Sequence, residues 1–172
     1  MPGSNFLFVT TDAETVDGDA APAVSIVNFR LRAGAWPLYA NTPHQKNLKK
    51  GDRRLLYCGG RFPDRGRILA AAEVRSLESV RNPMGVEETR RFLTGMPSTM
   101  VFIDKIQRFE APVAIRDVLT QLECCPKNLA KWGVILHAGV RQLSDRDFKT
   151  IVLASRKPSQ GPKHARVHAD PI

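Results

Sequence analysis

Apolar residues along the chain come in short bursts set apart by glycine, proline and polar clusters, and the bursts carry two different periods. Phe6 to Thr10 is a compact apolar run of strand length. From Ser25 to Arg32 the residues alternate, with Val27, Phe29 and Leu31 on one side and Asn28, Arg30 and Arg32 on the other, which predicts a half-buried strand. RRLLYC (Arg53 to Cys58) and ILAAAEVRS (Ile68 to Ser76) predict two more strands joined by a loop rich in Gly and Arg, although AAAE alone also tolerates a helix. MVFIDKIQRF (Met100 to Phe109) alternates imperfectly through Val101, Ile103 and Ile106 and is read as a strand. WGVIL (Trp132 to Leu136) is another strand candidate.

Between these runs the spacing predicts short helices. Pro43 to Lys50 reads as one, closed by Gly51 where a left-handed residue is wanted. Val86 to Leu93 reads as a second, ended by Gly95 and Pro97. Pro112 suits the first turn of a third, through AIRDVLTQL, with Val113, Val118, Leu119 and Leu122 near one face. Ser144-x-x-Asp147 before Phe148, Ile151 and Val152 is a weak capping box that opens a fourth. Short strands interrupted by short helices predict an α+β domain on a small, closed sheet. At 172 residues the chain suits one domain, placed at 1–154. The remainder, 155–172, is rich in Pro, Gly and basic residues without apolar periodicity, and is expected to be a basic flexible tail.

Composition is that of a globular protein, with 42% hydrophobic and 25% charged residues, but the formal charge is +9. A cationic surface concentrates polyanions, which makes nucleic acid the first partner to consider, against the alternative of a generic solubilising charge. The charge is unevenly spread. Asp12, Glu14, Asp17 and Asp19 crowd the first two dozen residues, which hold no Lys or Arg. From His44 to Arg67 stand Lys46, Lys49, Lys50, Arg53, Arg54, Arg61, Arg65 and Arg67 against only Asp52 and Asp64. Three cysteines (Cys58, Cys124 and Cys125) form neither a disulfide framework nor a CxxC zinc pair, so no metal or cofactor is expected. MPGSNFLFVTTDAE lacks the basic start and apolar run of a signal peptide, and no stretch is long enough to span a membrane, so a cytoplasmic protein is expected.

The segment WPLYANTPHQKNLKKGDRRLLYCGG, Trp36 to Gly60, resembles the EVE domain of the PUA-like group, whose relatives include YTH and ASCH domains. Trp36, Asn41, Gly51-Asp52 and Tyr57 stand at the family's Trp, Asn, Gly-Asp turn and strand-ending aromatic. ILAAAEV, FEAPVAIRDVL and WGVILHAGVRQLSDRDF are similar to its later elements, so the resemblance covers most of Phe6 to Leu153. The sequence departs from the pattern after Tyr57, where Cys58 and Gly59 replace the frequent His and Ser. The resemblance implies a PUA-like small β-barrel or strongly curved sheet flanked by short helices. It also implies a non-catalytic reader of one flipped, modified base, with modified cytosine in DNA favoured over RNA, and an effector nuclease or modification enzyme acting in trans.

Such a pocket needs one or two aromatic rings, because stacking is worth roughly 1–3 kcal/mol per base and offsets the cost of extrusion. Trp36, Tyr39, Tyr57 and Trp132 are the candidates; core packing is the alternative for Tyr57 and Trp132. Asn41 offers a donor and an acceptor to a base edge, or else caps the following helix. Backbone at Cys58, Gly59 and Gly60 allows close approach, or makes a plain hairpin turn. Lys46, Lys49, Lys50, Arg53, Arg54, Arg61, Arg65 and Arg67 are the candidate phosphate contacts. Two other readings stand beside this one. An RNA-binding YTH-like reader would take methylated adenine. An ASCH-like amidohydrolase would draw on Thr42, Lys49 or Lys50, and Glu73; separately, Cys124, Cys125 and His137 are candidates for a nucleophile and base.

Overall fold

The computed structural model describes residues 3–128, 133, 136 and 139–156. The chain opens with β1 (Asn5–Thr10), a small hairpin of β2 (Ala13–Glu14) and β3 (Ala20–Ala21), helix α1 (Ala23–Ala33) and β4 (Ala35–Tyr39). Next come β5 (Arg53–Cys58), β6 (Arg67–Ser79) and β7 (Pro97–Ala114), then α2 (Ile115–Val118), β8 (Val140–Leu143) and α3 (Asp145–Ala154). Six strands form one sheet in the order β4-β7-β6-β5-β1-β8. The β1–β5 pair is parallel and the other pairs are antiparallel.

The sheet curls because its long strands are bulged. The β6–β7 ladder shifts register at three places, between Ile68 and Ala70, Ala71 and Glu73, and Val74 and Ser76. Each extra residue bends the strand and increases its twist. The result is a strongly curved half-barrel, the open one of the two forms the resemblance implies. It is not closed: β4 and β8 are its edges among the described residues.

Both faces of the sheet are covered. Phe8, Trp36, Leu38, Leu56, Cys58, Val74 and Val101 line the concave face and meet Ala23, Val27 and Leu31 of α1. Leu7, Leu55, Tyr57, Ile68 and Val113 line the other face and meet Ile115 and Val118 of α2 and Phe148 and Ile151 of α3. Alternation along β5 therefore sends Tyr57 to one side of the sheet and Cys58 to the other.

Several elements differ from the sequence reading. Ser25–Arg32, expected as a strand, lies inside α1. Its buried positions are Ala23, Ile26, Val27, Arg30 and Leu31, a helical i, i+3, i+4, i+7, i+8 stripe, with Phe29 also buried. Arg30 occupies a core position of that stripe and so hid the period. Pro43–Lys50 makes only a single 3-10 turn, Gln45–Asn47, because Leu48 is its one buried apolar anchor. Val86–Leu93 likewise shrinks to a turn at Glu88–Arg90. Phe92 leaves to pack on Phe29, and the backbone of Arg91 and Leu93 bonds to the β2–β3 hairpin. Pro112 sits in β7 rather than in a helix, within the bulge between the Val113–Ile68 and Arg108–Ala70 pairs, where the ladder does not call on its missing N–H. The capping box at Ser144 is present: its Oγ accepts the Asp147 N–H at 3.1 Å. Trp132 and most of WGVIL lie outside the described residues, as does the expected tail from 157 onward.

Candidate functional site

Curling brings together strands that are far apart in the sheet. Trp36 of edge strand β4 meets Phe8 of β1 edge-to-face, with ring centroids 5.7 Å apart, although three strands separate β4 from β1 in the ladder. Where these strands end, a cavity of about 200 Å³ opens. Val9, Thr10 and Thr11 of the β1 end, Trp36 to Tyr39 of β4, Arg30 of α1, Thr42, Leu93, Thr94 and Gly139 enclose it, with Asp12 and Ala13 at one side.

Arg30 organises the polar wall. Its guanidinium lies 4.6 Å from the centre of the Trp36 ring. Its Nη1 donates to Thr10 Oγ1 at 2.8 Å, and its Nε donates to Glu88 Oε2 at 2.9 Å. The second Glu88 oxygen pairs with Nη2, which makes the contact a two-pronged ion pair with both side chains buried. Thr94 donates to Glu88 Oε1 at 3.3 Å and fixes the loop on the opposite wall. Tyr39 is half-buried, with Gly95 against its ring. Its hydroxyl is enclosed beside Arg30 and Thr94 but completes no hydrogen bond of good geometry. Burial raises the Tyr39 phenol above its ordinary pKa, against the opposing pull of Arg30, so it remains a neutral donor at physiological pH. The phenol oxygen is thus buried, while Tyr39 lines the cavity together with the apolar Val9, Pro37 and Leu38.

The predicted site residues divide among several places. Trp36 does line the cavity, but at 2% exposure it is a core ring braced by Phe8 and Arg30 rather than an open stacking plate. Tyr39 is the accessible aromatic. Asn41 is exposed and outside the lining, whereas its neighbour Thr42 lies within it, with Oγ1 accepting the Tyr39 N–H at 2.9 Å. Tyr57 and Gly59 belong to a different depression, shared with Pro63, Arg65 and Arg116. Tyr57 is itself buried on the sheet's far face, which separates it from Trp36. Cys58 is sealed in the concave core; burial pushes its thiol up to about 12.

The cations are similarly split. Lys46, Lys49, Lys50, Arg61, Arg65 and Arg67 are exposed. Arg53 is committed to α3, bonded to Asp145 at 2.7 Å and stacked over Phe148. Arg54 is a correction. At 0% exposure it lies over the Phe8 ring inside the half-barrel, donates to the Glu73 carbonyl at 3.0 Å, and cannot reach a phosphate. Reading the sequence missed Arg30, Thr10 and Thr94 as pocket residues, and Glu88 as the buried partner of Arg30. Only Pro22 and Gly34, which bracket α1, carried a signal for Arg30.

The residues considered for hydrolysis are not gathered in the cavity. Thr42 lines it, but Lys49 and Lys50 do not, and Glu73 pairs with Lys105 at 2.7 Å. Burial pushes the Cys124 thiol up to about 11, away from a thiolate, and His137 lies outside the described residues. Among the described residues no cluster of three or more His, Cys, Asp or Glu is placed to hold a metal, and no helix is long and apolar enough to cross a membrane.

No protein-family model matches the sequence, and no curated protein matches it. Solved structures do share the fold. Human THYN1, crystallised in complex with 5-methylcytosine-containing DNA, aligns with a TM-score of 0.60 at 12% identity, over 91% of this chain and 100% of that one. The DUF55 domain of human thymocyte nuclear protein 1 gives 0.58 at 10% identity, over 89% of this chain and 99% of that one. A hypothetical protein from Leishmania major gives 0.55 at 13% identity, covering 89% and 94%. The architecture is thus the EVE-type, PUA-like fold that the segment Trp36–Gly60 resembles.

Proposed function

We propose that this chain is a non-catalytic nucleic-acid reader that draws one base, a modified cytosine in DNA, into the cavity between the ends of β1 and β4. The Tyr39 ring carries the reading: of the two aromatic residues that line the cavity it is the one not sealed in the core, and it presents a ring on which a base can stack. Thr10, Thr42 and Thr94 add hydroxyls for a base edge, and the patch of Val9, Pro37 and Leu38 suits a methyl group.

The surroundings support the same reading. Through Thr42 the cavity joins a shallow depression lined by His44 and Lys46. Through Thr11, Asp12 and Ala13 it joins another that reaches Arg61. A strand laid along this trough meets cations at both ends with the base cavity between them. Human THYN1, with the same fold, was crystallised with 5-methylcytosine-containing DNA, which favours DNA over RNA as the polymer.

Anisotropy titrations on DNA and RNA oligonucleotides, each with cytosine or 5-methylcytosine at one central position, test the proposal. The methylated DNA binds tightest, and Tyr39→Ala weakens it by about tenfold or more while shrinking the preference for the methylated base. Equal affinity for the two bases, or a preference that Tyr39→Ala leaves intact, refutes it.

A further inference from the structure

The loop after β5 presents an aromatic ring that neither the core nor the base cavity uses. Phe62 is 38% exposed and lines a depression of about 720 Å³ with Thr11, Asp12, Ala13, Glu14, Gly18, Ala20, Gly60 and Arg61. Three of those residues, Thr11, Asp12 and Ala13, also line the base cavity, so the two spaces are neighbours along one wall.

The loop is anchored, and Asp12 is the anchor. Its carboxylate accepts the Arg61 N–H at 2.6 Å and the Ala23 N–H at the start of α1 at 2.9 Å. Gly60 has φ 89°, and a Cβ there would collide with that carboxylate, so the backbone passes where only glycine allows it. Gly59 N–H to the Thr10 carbonyl and Gly66 N–H to the Cys58 carbonyl, each 2.7 Å, pin the two ends of the loop. Phe62 is thereby held at a fixed place beside the cavity, flanked in the loop by Arg61, Arg65 and Arg67, with Asp64 the only acid among them. Leaving an apolar ring in water on such a support has no folding benefit. A flat π-face with the Arg61 guanidinium in the same depression matches the chemistry of a stacked base and its phosphate. Glu14 stands in the same depression as an acceptor for an exocyclic amino group.

We propose that this depression is a second nucleobase site, in which Phe62 stacks the base next to the one in the cavity. The inference rests on the reader function and extends it from one nucleotide to two. Titrations use 5-methylcytosine oligonucleotides that are intact, or abasic at the 5′ or the 3′ neighbour, against the parent protein, Phe62→Ala and Phe62→Trp. Removing the neighbouring base on one side weakens the parent protein by about tenfold, and removal on the other side does not. Phe62→Ala binds the intact oligonucleotide as weakly as the parent binds that abasic one, shows no further loss on it, and keeps its preference for the methylated base. Phe62→Trp restores tight binding. The inference is overturned if Phe62→Ala binds like the parent, as it would were the ring a docking point for a protein. It is equally overturned if the two losses multiply instead of overlapping. Failure of the reader function itself shows differently, as an absence of base preference in the parent protein.

Discussion

Arg30 shows how one side chain can serve both fold and site. It takes a core position on α1, braces the Trp36 ring, holds Thr10 and closes a buried two-pronged pair with Glu88. Removing one partner of such a pair strands the other charge away from water, which costs about 3–5 kcal/mol. Glu88→Ala is accordingly expected to lose that much stability in denaturant titration; a loss under about 1 kcal/mol would mean that Arg30 finds water. Cys58 gives a second prediction. Burial foremost, then Asp64 and Asp12, raise its thiol from 9.0 to about 12. A raised pKa means the native state holds the proton more tightly. This contribution is complete below pH 9 and disappears as pH climbs towards 12. Melting temperatures taken between pH 8 and pH 11.5 should fall less steeply in Cys58→Ala than in the parent. Removing Cys58 also relieves Tyr57 of a charge that raises its phenol, which flattens the variant's slope in the same direction, so parallel slopes would contradict the assignment. At this scale the sequence disclosed little of the pocket. Trp36 stood out through the family pattern, and Tyr39 only as one of the chain's few aromatic residues. Thr10, Arg30 and the Glu88–Thr94 stretch come from three separate segments, and only tertiary contact joins them.

At the scale of elements, legibility followed how local the determining forces are. Strands β1 and β5 were visible because both their faces are covered, which leaves nearly continuous apolar runs. The start of α3 was visible because its cap is written in four consecutive residues. Ser144→Ala removes the acceptor for the Asp147 N–H and is expected to cost about 1 kcal/mol, read from the midpoint of a urea melt. An unshifted midpoint would show that water substitutes for the hydroxyl. Helix α1 was misread because a buried arginine stood where an apolar residue would have declared the period. The segment Val86–Leu93 was misread because the β2–β3 hairpin, some seventy residues earlier, claims its backbone. Neither cause lies within a local window of sequence.

For the whole molecule, the sheet's curl makes the site. A flat sheet would hold β4 and β1 apart, but three bulges in the β6–β7 ladder bend it until their ends face one another across the cavity. The cavity shares Thr42 with the depression that Lys46 lines, and Thr11, Asp12 and Ala13 with the one that Arg61 lines. The net charge of +9 pointed to a polyanion but not to this arrangement, and of the eight cations expected on phosphate Arg54 is buried and Arg53 is paired with Asp145. Extrusion of a base from its partner is the step that most directly decides the account. Imino-proton NMR of a DNA duplex with a single 5-methylcytosine–guanine pair observes it. On adding the protein, the guanine imino signal of that pair should vanish while those of pairs beyond its immediate neighbours persist. A bound duplex that retains this signal alongside all the others would contradict base capture by the cavity.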